Sequence, residues 1–258
     1  MNQYFNLRRF GLLLKLDLAE NGRNYLLTAG LIITVMLLLM LPVRVSREFS
    51  DTKFLLHPLA LFMCVWFGGS LFTSTVFAQY GSPSKGISAL MLPTSRLEKF
   101  GVSLLVNLFF TVLFIVLFWQ IHHGFIETAN VHLPATGRKY HPIPPGPTTF
   151  LTYSYFLIQG AMFLGSIYFP KHAYLKTAVA LLTVVAAAQI FHYTLANELT
   201  GNPSFLLTVP FSSWAITQGR YFLINYPKPV DTIVWIFLVF LIVALWTIAY
   251  VRLKEKEI

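Results

Sequence analysis

Six stretches of this 258-residue chain are each apolar for about the twenty residues that a helix needs to cross a bilayer core. They run over Tyr25–Val43, Leu55–Ala78, Phe100–Ile121, Thr149–Phe169, Tyr174–Leu195 and Thr232–Val251. Lys176, in the first turn of the fifth, is the one Asp, Glu, Lys or Arg inside those bounds. Lipid offers a backbone no hydrogen bonds, so a spanning segment must satisfy its own as a helix or within a closed barrel. Runs this long, without alternation of polar and apolar residues, select the helix. Charged residues make up only 11% of the chain, against about a quarter in a soluble domain. The expected fold is therefore an all-α integral membrane protein, one membrane domain over residues 1–258. It divides into a cytoplasmic amphipathic helix (1–24), a six-span bundle (25–251) and a cytoplasmic tail (252–258). A seventh apolar run, Ser204–Thr217, is too short to cross and contains Pro210. It is expected to be re-entrant or to lie at the interface before span six.

The net charge of +9 would point to nucleic acid in a soluble protein. In a chain of spans, Lys and Arg are retained on cytoplasmic loops and set orientation, so no nucleic-acid partner is expected. With the N-terminus inside, twelve of the nineteen Lys and Arg fall on the inner side, which places both termini in the cytoplasm. The first span lacks a small-residue cleavage site after Leu41 and is read as a retained span rather than a signal peptide. Before it, Tyr4–Glu20 sets Phe10, Leu13, Leu14 and Leu18 on or near one helical face. Arg8, Arg9 and Lys15 would reach lipid phosphates while that face beds into the interface.

Chemistry is sparse. No G-x-x-x-x-G-K-[ST] loop occurs, and no carboxylate stands at membrane depth to serve an ion-coupled pump. Asn107, Gln159, Gln189 and the run Ser70, Thr73, Ser74, Thr75 read as interhelical hydrogen bonding, or as the lining of a substrate path. The single cysteine, Cys64, forms no intrachain disulfide. His122, His123, His132 and His141 match no metal template and read as solvated residues of the outer loop; His57 and His192 lie near outer span ends. No metal site is expected. Gly68-Gly69-Ser70 reads as a small-residue packing patch, with an intramembrane serine hydrolase as the weaker alternative. The outer loop Gly124–Pro147, rich in Pro and Gly, is expected to be extended and irregular.

One loop exceeds what a turn requires. Ser82–Phe100 reads SPSKGISALMLPTSRLEKF: a glycine, a short apolar turn, a break at Pro93, and a new helix start. Ser95 and Glu98 stand three apart, as in a capping box. A structured inner loop of this kind is a docking surface in outline.

Gly86 to Phe100 resembles the coupling segment of ABC exporter permeases of the second type. In that family a glycine opens a short helix, Leu-Leu and Pro-x-Ser-Arg come next, and a lysine begins the third span. Leu-Pro-x-Ser with Glu-Lys-Phe is similar to the small six-span variant common in Bacteroidetes-type genomes. Leu164–Phe169, with Lys171 and Lys176-Thr177, is a second, weaker likeness. Lys85 and Ile87 stand where the wider family often has an acidic residue and a threonine. The resemblance implies a cytoplasmic coupling helix between spans two and three. It implies a permease subunit in the inner (plasma) membrane, paired with a second copy or a paralogue. ATP-binding ABC subunits would carry the ATP and Mg, leaving this chain with no cofactor and no enzymatic site of its own. Contact with the ATPase would fall to Lys85, Gly86, Leu92, Pro93, Thr94, Ser95, Arg96, Glu98 and Lys99, with Arg96, Glu98 and Lys99 also able to brace the N-terminal helix. The substrate would be amphiphilic or hydrophobic. A membrane scaffold or sensor bound to an ATPase, moving nothing, is the alternative.

Overall fold

A computed structural model of the chain describes residues 5–75, 77, 94–169, 171–201, 205–208, 214–217, 220–225 and 227–256. Among the described residues six helices are long and apolar enough to cross a membrane, which makes this a multi-pass membrane protein. They are α1 (Leu7–Arg44), α2 (Asp51–Thr75), α3 (Arg96–His132), α4 (Pro145–Tyr168), α5 (Ala173–Thr200) and α6 (Lys228–Lys256). α1 packs on α2 and α3; α4 packs on α2, α5 and α6. Phe100 of α3 meets Tyr250 of α6 at 5.6 Å between rings, so α6 ends beside the start of α3. The start of α1 lies there too, where Phe10 sits 3.2 Å from the position a Cβ on Gly101 would take.

The first expectation to change is the separate interfacial helix. Residues 7–44 form one unbroken helix of 38 residues, about 57 Å long at 1.5 Å per residue. That is nearly twice a bilayer core, so the amphipathic segment is the projecting end of span one rather than an element of its own. Propensity allows this, because Gly11 and Gly22 are the only residues between Leu7 and Tyr25 that weaken a helix strongly, and neither is followed by a proline. α3 likewise runs on to His132, well past the expected end at Ile121, and takes up the first part of what the glycine and proline count assigned to an irregular loop.

The remainder of that loop is tied down. Tyr140 is buried, its hydroxyl receives Ser50 N at 3.1 Å, and its backbone exchanges hydrogen bonds with the Asn130 side chain at 2.9 Å each way. Arg138 stacks 4.4 Å above the Phe49 ring and pairs with Asp51 at 3.3 Å.

The histidines separate. His123, His132 and His141 are exposed, but His57 and His122 are fully buried and joined Nδ1 to Nδ1 at 2.7 Å, contrary to the solvated reading of His122. Their neighbours determine the tautomers. Ile143 N donates to His122 Nε2 at 3.2 Å, so that nitrogen is bare and Nδ1 carries the proton. His57 Nδ1 must then accept, leaving its Nε2–H to donate to Met40 O at 3.3 Å. The sequence offered no sign of this pair, because 65 residues separate its members.

Before α6, parts of the expected re-entrant or interfacial segment, Ser204–Thr217, pair in a three-stranded antiparallel meander, a small exception in an otherwise helical fold. β1 (Phe205–Thr208), β2 (Trp214–Thr217) and β3 (Tyr221–Ile224) pair in the order β1-β2-β3, with Leu206 opposite Ile216 and Ile216 opposite Phe222. A run too short to span still has to satisfy its backbone, and pairing with its neighbours does so. Residues 204 and 209–213 lie outside the described ones.

Two outcomes test the fold. Among the glycines, Gly165 lies against Thr177, which a Cβ would overlap, whereas Gly124 faces open space. Gly165→Ala should lower the apparent melting temperature of the detergent-purified protein, by a destabilisation of about 1–3 kcal/mol, while Gly124→Ala leaves it unchanged or slightly raised. Nitrogen NMR of histidine-labelled protein should show one residue protonated at Nδ1 alone; two Nε2 tautomers would contradict the paired geometry.

Candidate functional site

Two constellations stand out, one at the end of the bundle where α1 and α3 begin, the other at its middle. At the end, the expected capping box is present: Glu98 N donates to Ser95 Oγ at 3.2 Å and Ser95 N donates to Glu98 Oε2 at 2.7 Å. The carboxylate does more than cap its own helix. Its Oε1 receives the backbone N–H of Asn6 at 2.7 Å and Arg9 Nη2 at 3.1 Å. Asn6 is itself the N-cap of α1, its side chain accepting from Arg8 N at 2.9 Å and Arg9 N at 3.4 Å. One fully buried anion thus joins the N-termini of two spanning helices, the positive end of each dipole.

Of the residues expected to work here, Ser95, Glu98 and Lys99 are buried and Thr94 and Arg96 are half-buried, so Glu98 and Lys99 are not solvated charges. Arg9 is drawn to Glu98, while Arg8 and Lys15 remain exposed. Lys85, Gly86, Leu92 and Pro93 lie outside the described residues, and with them the expected coupling helix.

At mid-bundle the polar side chains form a layer. Gln159 Nε2 donates to Asn107 Oδ1 at 2.7 Å, Asn107 Nδ2 donates to Thr73 Oγ1 at 2.8 Å, and Thr73 Oγ1 donates to Gly69 O at 2.8 Å. Thr111 Oγ1 donates to Asn107 O at 2.9 Å, so its proton is committed and Tyr155 OH is the donor in their 2.7 Å contact. Asn107, Gln159 and Thr73 are all fully buried. α2 reaches this layer through a π-helical stretch, Phe62–Gly68. One extra residue in a helix rotates the turns beyond it by about 100°. The stretch thereby sets the orientation in which Thr73 meets Asn107 and Gly69 meets Tyr155. The glycines are needed there: a Cβ on Gly69 would lie 2.5 Å from the Tyr155 ring, and one on Gly68 would lie 2.9 Å from Ile32. That is the packing patch expected from Gly68-Gly69-Ser70. Ser70 Oγ itself donates to Phe67 O at 3.1 Å.

Tyr155 and Thr111 also floor a cleft between α1, α2 and α3. It is shallow, and its walls include Tyr25, Ile32, Phe72, Phe110 and Phe114. Tyr25 is held by its hydroxyl, which donates to Asp17 at 2.9 Å.

Asn107 and Gln159, expected as candidate path residues, are thus brought together. Gln189 is not with them: it donates to Thr208 O at 2.8 Å and to Thr208 Oγ1 at 3.0 Å, and pins the small sheet to α5. Tyr155 and Thr111 were missed. Hydroxyls in apolar runs are common, and only the pairing of helices shows which ones meet. Comparison with protein-family models, with curated proteins and with solved structures yields no match.

The junction makes an ordered prediction. Glu98→Ala strands three donors and should cost about 1–3 kcal/mol in thermal or denaturant unfolding. Arg9→Met, which leaves the carboxylate its two N-cap backbone donors, should cost less than Glu98→Ala. The reverse ranking would contradict a carboxylate-centred junction.

Proposed function

We propose that this chain is the membrane-spanning permease subunit of an ATP-driven exporter of the second ABC type, acting on an amphiphilic or hydrophobic substrate, with ATP hydrolysed by a separate subunit. The observation that carries the reading is the Glu98 junction. The loop that resembles a coupling segment leads directly into Ser95, and the helix it opens is bound through Glu98 to the start of span one. A push delivered to that loop would reach span three through its own backbone and span one through the carboxylate. An interlocked pair of spans is what a lever requires and what a simple turn does not.

The remaining features support the same reading. No phosphate-binding loop occurs in the chain, so an ATPase would have to be another protein. The spans hold hydroxyls and amides rather than charges, which suits an amphiphile more than an ion. The Lys and Arg distribution favours a cytoplasmic position for the junction and for both termini.

The test is assembly and coupling. Co-expressed with an ABC-type P-loop ATPase from the same genome, its gene neighbours first, the chain should purify as a complex whose ATPase activity differs from that of the free subunit. Glu98→Gln should retain the complex but lose most of that difference. If no ATPase binds the chain, the proposal fails. If one binds and sealed vesicles show no movement of any amphiphile tested, the chain is a scaffold.

A further inference from the structure

The buried histidine pair belongs to neither constellation. His57 and His122 are fully buried, and the bonds around them join four parts of the chain. His57, in the second turn of α2, reaches Met40 O of α1. His122 of α3 receives Ile143 N from the segment that leads into α4. Along α3, His122 stands about 36 Å from Glu98 at 1.5 Å per residue, farther than a bilayer core about 30 Å thick. The pair thus fastens the end of the bundle opposite the junction.

The contacts fix how many protons the pair holds. The Nδ1–Nδ1 contact takes one, His57 Nε2 needs a second to reach Met40 O, and His122 Nε2 must stay bare for Ile143 N. Two protons, the neutral pair, therefore satisfy every contact. With a third, the arrangement that keeps the most bonds has one proton between the rings and one on each Nε2. Met40 is retained, and His122 Nε2–H then faces Ile143 N–H across 3.2 Å, a donor against a donor. The added charge is buried, and among the described residues no carboxylate is hydrogen-bonded to either ring. The charged groups on the surrounding elements are engaged elsewhere or exposed. On α1 Arg44 lies over Phe125, at the start of α2 Asp51 pairs with Arg138 and Lys53 donates to Ser46 Oγ, and Lys139 donates to Asn130 O. Arg47, Glu48, Glu127 and His141 are exposed. The His123 ring lies 5.6 Å from that of His122 and adds only like charge when protonated.

We propose that the His57–His122 pair is an acid-opened latch: a proton taken up by the pair expels Ile143 N and frees the segment leading into α4 from α3. Once open, His122 is hydrated and titrates in the ordinary histidine range, near about 6.5. The closed latch takes up no proton there. It therefore holds at neutral pH and is lost as pH falls below about 6.5, by about tenfold per pH unit for one proton. On the orientation that Lys and Arg favour, the latch reads the pH outside the cell. It stands or falls without the transport reading, because it needs neither an ATPase nor a substrate.

Hydrogen–deuterium exchange of the full chain in phosphatidylcholine nanodiscs, with nitrogen NMR of histidine-labelled protein in the same nanodiscs, decides the matter. Between pH 7.5 and pH 5, after correction for the intrinsic pH dependence of exchange, the peptide holding Ile143 should lose protection reversibly, by about tenfold or more. The peptide around Asn107 should stay protected. The signal of the ring protonated at Nδ1 alone should vanish over the same range. His122→Gln keeps an acceptor within reach of Ile143 N but cannot titrate, and should hold that segment at both pH values. His123→Gln removes an exposed neighbour and should leave the acid response in place. Protection at Ile143 that ignores pH, a response that survives His122→Gln, or one that disappears in His123→Gln would overturn the latch. If His122→Gln does not fold, the NMR decides alone: protection lost at Ile143 while the Nδ1-only signal persists would place the titrating group elsewhere.

Discussion

The Glu98 carboxylate is the interaction on which the rest of the arrangement turns. It accepts from the N-cap backbones of α1 and α3 and from Arg9, and it is fully buried. A buried charge is tolerated only when hydrogen-bonded and paired, and here both conditions are met by the ends of two spans. Because both partners are helix N-termini, the bond aligns α1 and α3 at one end of the bundle. Phe10 on Gly101 then carries the contact inward. The length of α1 has the same origin, since its projecting turns have somewhere to dock.

Deeper in the bundle, hydrophobicity cannot choose helix partners, because lipid is as apolar as leucine. Close approach and interhelical hydrogen bonds choose instead. Gly69 admits Tyr155, Gly165 admits Thr177 and Gly160 admits Leu245. The layer from Thr73 to Gln159 specifies how α2, α3 and α4 face one another. The π-helical stretch in α2 is part of the same device, because a plain helix would turn Thr73 away. Polar side chains that look mild in the sequence are thus what specifies the packing.

The two constellations occupy different levels of the same helices. α3 carries Glu98 at its start and Asn107 and Thr111 further along, about 13 Å and 19 Å deeper at 1.5 Å per residue. The junction, the layer and the contact of Thr111 with Tyr155 thus share one helix. α5 stands apart, with little of its apolar stretch buried within the chain.

Much of this was legible from the residues alone. Six apolar runs almost free of charge can only be spans, because no other structure hides a backbone in lipid, and the Ser95–Glu98 spacing announced its capping box because that bond is local. Small residues at Gly68-Gly69 marked close packing for the same local reason. What lay beyond the sequence was every bond between residues far apart in the chain. Asn6 to Glu98, His57 to His122, and Asn107 to Gln159 each join different helices, and no periodicity records which helices meet. Turn formers also misled over Gly124–Pro147, where packing carried α3 on to His132, and the apolar run Ser204–Thr217 gave no sign that strands would satisfy part of its backbone. By itself the sequence determined the spans, because burying a backbone in lipid is a local requirement of each segment. The tertiary structure alone decided which polar groups meet, because that depends on how whole helices face one another.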